Sequence, residues 1–193
     1  PALQIVKTRP GVNLTSGAFI MLRKNDRFLF SDCAINPDPN AEQLAEIAVE
    51  SARTAEIFDI DPKVALLSFS TKGSGSGPMV DKVREATEIA KEMAPDLALD
   101  GELQFDSAFD STVAFQKAPD SEVAGEANVF IFPELQSGNI GYKIAQRLGG
   151  FEAIGPILQG LNKPIADLSR GCNEEDVYKL SIITANQALL NGY

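Results

Sequence analysis

Ala127-Asn128-Val129-Phe130-Ile131-Phe132 runs into Pro133-Glu134-Leu135-Gln136-Ser137-Gly138, and a helix is expected after it from Asn139 to Leu148. The six opening residues are too few for a globular helix, and four of them form an unbroken apolar run. A short apolar run without alternation is what a strand buried on both faces requires. Gly149-Gly150 then closes the helix, as glycine does just past a helix C-terminus.

The same order recurs upstream. Val64-Ala65-Leu66-Leu67 is another buried strand, and Ser68 to Pro78 (SFSTKGSGSGP) is a loop. Val80, Val83, Ala86, Ala90 and Met93 then form a helical stripe, and Leu97 to Leu103 reads as a further strand. Strands alternating with helices predict an α/β fold with a doubly wound, mainly parallel sheet flanked by helices. Nearer the start, Gly17 to Leu22 and Phe28 to Ser31 flank a polar turn and read as a hairpin. Asn36 to Asn40 breaks the chain and can cap a helix over Ala41 to Phe58. Ser107 to Phe115 is read as one helix, and Ala118 to Gly125 as turns. Phe151 to Leu168 holds two apolar stretches broken at Gly160 to Pro164, and a last helix is expected from about Asn173 to Leu190.

Composition narrows the chemistry. The 193 residues carry 44% apolar and 23% charged side chains, with a formal net charge of −10. That balance disfavours nucleic-acid binding, which needs clustered cations, and adsorption to anionic membranes. No apolar run is long enough to span a bilayer and no secretory signal is visible. Two cysteines far apart, Cys33 and Cys172, predict reduced thiols and a cytoplasmic protein rather than a disulfide framework. The chain has no His, so a Ser-His-Asp triad, a Cys-His pair and a His-liganded zinc are excluded for this chain alone. Any general base must be Asp, Glu, Lys, Tyr or Cys.

In open α/β sheets ligands sit beyond the carboxyl ends of strands, which draws attention to three loops. In Ser70-Thr71-Lys72-Gly73-Ser74-Gly75-Ser76-Gly77, backbone N–H groups could cradle phosphate, or the glycines could serve turn geometry only. In Glu134 to Lys143, the residues Asn139, Tyr142 and Lys143 offer donors near a helix start, with Arg147 one turn beyond Lys143. The plainer reading is a capped helix with a solvated basic face. In Asp167 to Asp176, a strand-like segment delivers Ser169 and Arg170 into a turn before a helix. Asn173 and Asp176 have capping-box spacing. Equally, Arg170 and Ser169 could stabilise a developing negative charge while Asp176 accepts a proton. Cys172 has no His to activate it and reads as a packed thiol rather than a nucleophile, and Cys33 reads as core.

Taken together, these stretches resemble the phosphate acetyltransferase (phosphotransacetylase) family. The likeness runs through Arg9 to Val12, Asp32 to Pro37, Leu67 to Ser74, Asp100 to Asp106, Ala127 to Pro133, Asn139 to Lys143, Gly155 to Gly160 and Asp167 to Cys172. It covers essentially the whole chain, in order. The resemblance implies reversible acetyl transfer between CoA and phosphate, by direct attack in a ternary complex with no acyl-enzyme. It implies an isocitrate/isopropylmalate dehydrogenase-like fold and a homodimer of two-domain subunits with the site between domains. Asp176 matches the base for the CoA thiol, Arg170 the cation at the developing charge, and Ser169 its neighbour. Arg147 matches a substrate-binding Arg, and the wider substrate set is Tyr142, Lys143, Asn139, Ser70, Lys72, Gly73 and Cys172. The substrates are CoA or acetyl-CoA, acetyl phosphate and inorganic phosphate, with no tightly bound cofactor and no metal.

Family members are longer at the N-terminus. The resemblance therefore implies that residues 1–155 are a second domain, for dimerisation and one cleft wall. Residues 156–193 would be a C-terminal segment completing a first domain not in this chain, and the chain alone is expected to be inactive. Two alternatives go with this reading: a non-catalytic acyl-CoA-sensing or dimerisation module like that of malic enzymes, and a phosphate butyryltransferase.

Overall fold

The computed structural model describes residues 2–168 and 170–190. In chain order the elements are α1 (Ala2–Val6), β1 (Ser16–Arg23), β2 (Asp26–Ser31), α2 (Ala41–Ile57), β3 (Val64–Leu67) and α3 (Pro78–Met93). There follow β4 (Leu99–Leu103), α4 (Phe105–Phe109), α5 (Ser111–Lys117), β5 (Val129–Ile131), α6 (Leu135–Arg147), β6 (Glu152–Gln159) and α7 (Glu174–Leu190). The strands form one sheet in the order β4-β3-β5-β2-β1-β6. The first four run parallel. β1 is antiparallel to both β2 and β6, so β6 points the same way as β2 and β1 alone is inverted. The mainly parallel sheet read from the sequence is present, and the hairpin is the exception that inverts β1. Lys24, first residue of its two-residue turn, takes a φ of 56°, the positive φ that the favoured hairpin turns require.

The sheet is covered on both faces, and β5 shows why its sequence does not alternate. Val129 and Ile131 enter one core cluster with α2 and α3, including Leu44, Ile47 and Val83. Phe130 and Phe132 enter the other, with Met21, Leu103 and the Tyr142 and Ala145 positions of α6. β3 divides likewise, Val64 and Leu66 to one side and Ala65 and Leu67 to the other. α7 joins the α2 and α3 face through Leu180 and Ile183. Thus α6 and α7 lie on opposite faces near the β6 edge.

Three local expectations are corrected. α6 begins at Leu135 rather than Asn139, because the Glu134 side chain accepts the Gln136 and Ser137 N–H groups and caps it early. Gly138 is no breaker; it lies inside α6 and is buried. The single helix read over Ser107 to Phe115 is two, divided at Asp110, whose carboxylate accepts from the Thr112 and Val113 N–H groups. The strand-like run before residue 169 is reduced to one bridge, Ala166 against Ile157. β6 runs on through Gly155 and Pro156. No helix among the described residues is long and apolar enough to cross a membrane.

Candidate active site

The position of α6 is set by the chain after β2. The Asp32 carboxylate is 2% exposed and accepts the N–H groups of Gly17, Ala34, Ile35 and Asn36, at 2.8–3.1 Å. The Asn36 Nδ2 adds a bond of 2.6 Å. So many donors on one carboxylate lock the loop. The loop in turn seats α6: a Cβ on Gly138 would lie 2.2 Å from the Asp32 carbonyl oxygen, and Asn139 Nδ2 donates to the Cys33 carbonyl at 3.1 Å. Only glycine allows that approach. Cys33 itself is fully buried, and burial, with the Asp32 charge next, pushes its thiol well above the ordinary range. It is core, as the sequence suggested.

Beyond this seat, α6 presents Tyr142, Lys143, Gln146 and Arg147 to a cleft of about 470 Å³. The other walls are Phe19 of β1, Ala153 and Gly155 of β6, and the segment Leu168, Gly171, Cys172, Asn173, Asp176 and Leu180. The Tyr142 ring stacks on Phe19, with centroids 4.1 Å apart and planes 13° from parallel. Burial pushes its phenol up. Lys143 Nζ donates to Asn139 Oδ1 at 2.6 Å. Across the cleft, Asn173 and Asp176 form a reciprocal cap: the Asn173 N–H donates to Asp176 Oδ2, and the Asp176 N–H to Asn173 Oδ1, both at 3.0 Å. The capping geometry is therefore real, and the same Asp176 lines the cleft.

The register explains how residues so distant in sequence meet. Ala166 bridges Ile157 antiparallel on the outer edge of β6. The chain thus doubles back along β6, and Leu168 and Gly171 come beside Ala153 and Gly155. This places the cleft beside the amino-terminal half of β6, whose Ala153 stands level with Met21 of β1 and Phe28 of β2, and the last of the three loops singled out in the sequence lines it. Arg170 is exposed in the turn and makes no ion pair with a described residue. Ser169 lies outside the described residues.

The glycine-rich loop sits elsewhere. Its donors serve a carboxylate of the protein: Glu102 accepts Ser70 Oγ at 2.8 Å and the Gly73 N–H at 2.9 Å. Arg84 completes the set at 3.0 and 3.1 Å. Burial alone would raise the Glu102 pKa, but the bonds from Arg84, Gly73 and Ser70 bring it down to about 2. Lys72 Nζ pairs with Asp100 at 2.6 Å. So Tyr142, Lys143, Arg147, Cys172 and Asp176 come together, whereas Ser70, Lys72 and Gly73 do not join them. Asn139 stands behind the wall, bonded to Lys143. Phe19 and Gln146 are cleft residues that sequence reasoning missed. Gln146 follows Lys143 by three, a helical spacing that could have found it; Phe19 carried no such signal.

A family model described as phosphate acetyl/butaryl transferase matches residues 1–185. The chain is 66% identical over 189 residues to a phosphate acetyltransferase of Bacillus subtilis, covering 98% of this chain and 58% of that protein. Its fold is similar to a phosphotransacetylase from Streptococcus pyogenes, with a TM-score of 0.96 and 70% identity over 98% of this chain and 58% of that one. It is also similar to the EutD phosphotransacetylase from Staphylococcus aureus, at a TM-score of 0.94 and 58% identity, covering 97% and 58%. The chain thus spans about 58% of the length of these relatives.

Proposed function

The chain belongs to the phosphate acetyl/butaryl transferase family, and we propose that its full gene product transfers an acetyl group reversibly between CoA and phosphate. The observation that carries the proposal is the meeting of α6 and the start of α7 in one cleft, with Lys143, Arg147 and Asp176 on its walls. In the direction that makes acetyl-CoA, Asp176 takes the thiol proton of CoA. The thiolate sulfur attacks the carbonyl carbon of acetyl phosphate, and the carbonyl–phosphate C–O bond then breaks to release phosphate. In reverse, a phosphate oxygen attacks the thioester carbon and CoA leaves with the proton. No acyl-enzyme forms.

A carboxylate is a weak base for a thiol, so the cations matter. Arg170 beside the sulfur favours the thiolate, and it also stabilises the tetrahedral oxyanion, with Ser169 as its neighbour. Arg147, Lys143 and Tyr142 hold substrate, and Cys172 contacts it without acting as nucleophile. A substrate role for Ser70, Lys72 and Gly73 is not retained, because their donors serve Glu102 and Asp100.

The proposal extends to a cytoplasmic homodimer of two-domain subunits, with residues 1–155 as the second domain and 156–193 completing the first. Two surfaces support it. Along α6, Ile140, Ile144 and Leu148 are exposed at i, i+4 and i+8, beside an apolar groove of about 420 Å³ lined by Phe28, Phe105, Phe109 and Phe151. Exposed apolar stripes of this kind mark contact surfaces. On α7, Tyr178, Ile182 and Leu189 are likewise exposed, a second apolar face for the remainder of a longer chain to cover. The test is phosphate-dependent CoA release by the full gene product, comparing acetyl-CoA with butyryl-CoA. Preference for acetyl-CoA is expected. Preference for butyryl-CoA would reassign the acyl group, and acyl-CoA binding without turnover would leave a sensing module.

A further inference from the structure

Lys143 differs from six other lysines in what holds it. Lys63, Lys72, Lys82, Lys91, Lys117 and Lys179 are each ion-paired with a carboxylate. Lys143 is held by a carboxamide, through Asn139 Oδ1 at 2.6 Å. The amide orientation is dictated by chemistry: the Cys33 carbonyl can only accept and the ammonium can only donate, so Nδ2 faces the first and Oδ1 the second. The Cys33 carbonyl belongs to the loop locked by Asp32. Lys143 is therefore tethered to the rigid core through a neutral acceptor. A carboxylate in that place would fix the ammonium and cancel its charge. The carboxamide fixes it and leaves the charge whole, one turn from Arg147 on the same cleft wall.

We propose that Asn139 is a positioning residue that presets Lys143 as a hook for a phosphoryl group of the substrate. This rests on the acetyltransferase reading of the cleft. The phosphoryl group could be that of phosphate or acetyl phosphate, or one of the phosphates of CoA, and kinetics separate them.

The experiment uses the full gene product as wild type, Asn139→Asp, Asn139→Ala, Lys143→Gln and the double variant Asn139→Ala/Lys143→Gln, with thermal unfolding to check the fold. Each substrate is varied in turn. Losing one charge-assisted bond raises the KM for the hooked substrate about 10-fold or more with kcat largely kept. The double variant is no worse than Lys143→Gln alone, because Asn139 acts through Lys143. A rise for phosphate and acetyl phosphate alone assigns the free phosphoryl group; a rise for CoA and acetyl-CoA alone assigns the nucleotide's phosphates. Unchanged KM values throughout, or additive losses in the double variant, overturn the proposal. If the wild type forms no acetyl phosphate, the acetyltransferase reading fails on its own. Calorimetric titration of inorganic phosphate and of CoA then decides the hook: weaker binding of either by Asn139→Asp and Lys143→Gln supports it, and equal binding overturns it.

Discussion

Asp176 accepts the Asn173 N–H through Oδ2 and lines the cleft, so one side chain closes a helix start and stands where a base is needed. Substitution separates the two. Asp176→Asn keeps an oxygen acceptor for the Asn173 N–H, and its melting temperature should stay near wild type. Asp176→Ala removes the acceptor and should cost about 1 kcal/mol in thermal or urea unfolding. The cap was legible in the sequence because its partners are three residues apart. The meeting of Asp176 and Arg147 in one cleft was implied by the family resemblance but not by spacing, since it depends on the chain doubling back at Ala166. Such a reversal leaves no local periodicity. Arg170→Gln should remove most activity of the full gene product, measured as CoA release; an unchanged rate would place Arg170 outside the chemistry.

The α6 start shows what local reading lacks. The loop read from the sequence ends at Gly138, whose actual constraint is the Asp32 carbonyl 106 residues earlier, the same separation that Asn139 spans to Cys33. Gly138→Ala should therefore destabilise the protein by about 1–3 kcal/mol in denaturant unfolding, as overpacking does, although alanine is the better helix former. The glycine-rich loop after β3 offers a pH test. Glu102 titrates near 2 in the folded chain against an ordinary 4.5, so its stabilising effect is present above about pH 4.5 and is lost as pH falls toward 2. Glu102→Gln should lower stability by about 1.5–3 kcal/mol at neutral pH, and the difference from wild type should shrink across that acid window. A pH-independent difference would mean the Glu102 charge contributes nothing.

Across the whole molecule, α6 is a shared wall. One side lines the cleft with Lys143 and Arg147, and the other borders the aromatic groove with Gly141, Ile144 and Ala145. The doubly wound sheet was legible because β3 and β5 are apolar without alternation. The inverted β1 was legible as a hairpin, but its consequence was not: it places β6 at the edge, and the cleft forms beside that edge. Ile144→Glu in the full gene product should shift sedimentation from dimer to monomer; a dimer unaffected by the change would place the interface elsewhere. The most direct measurement of acyl transfer in the cleft is the initial rate of phosphate-dependent CoA release from acetyl-CoA by the full gene product carrying Asp176→Asn, on protein shown to be folded. Loss of the base predicts a rate lower by about 10²–10⁴-fold, and a rate equal to wild type would contradict the account.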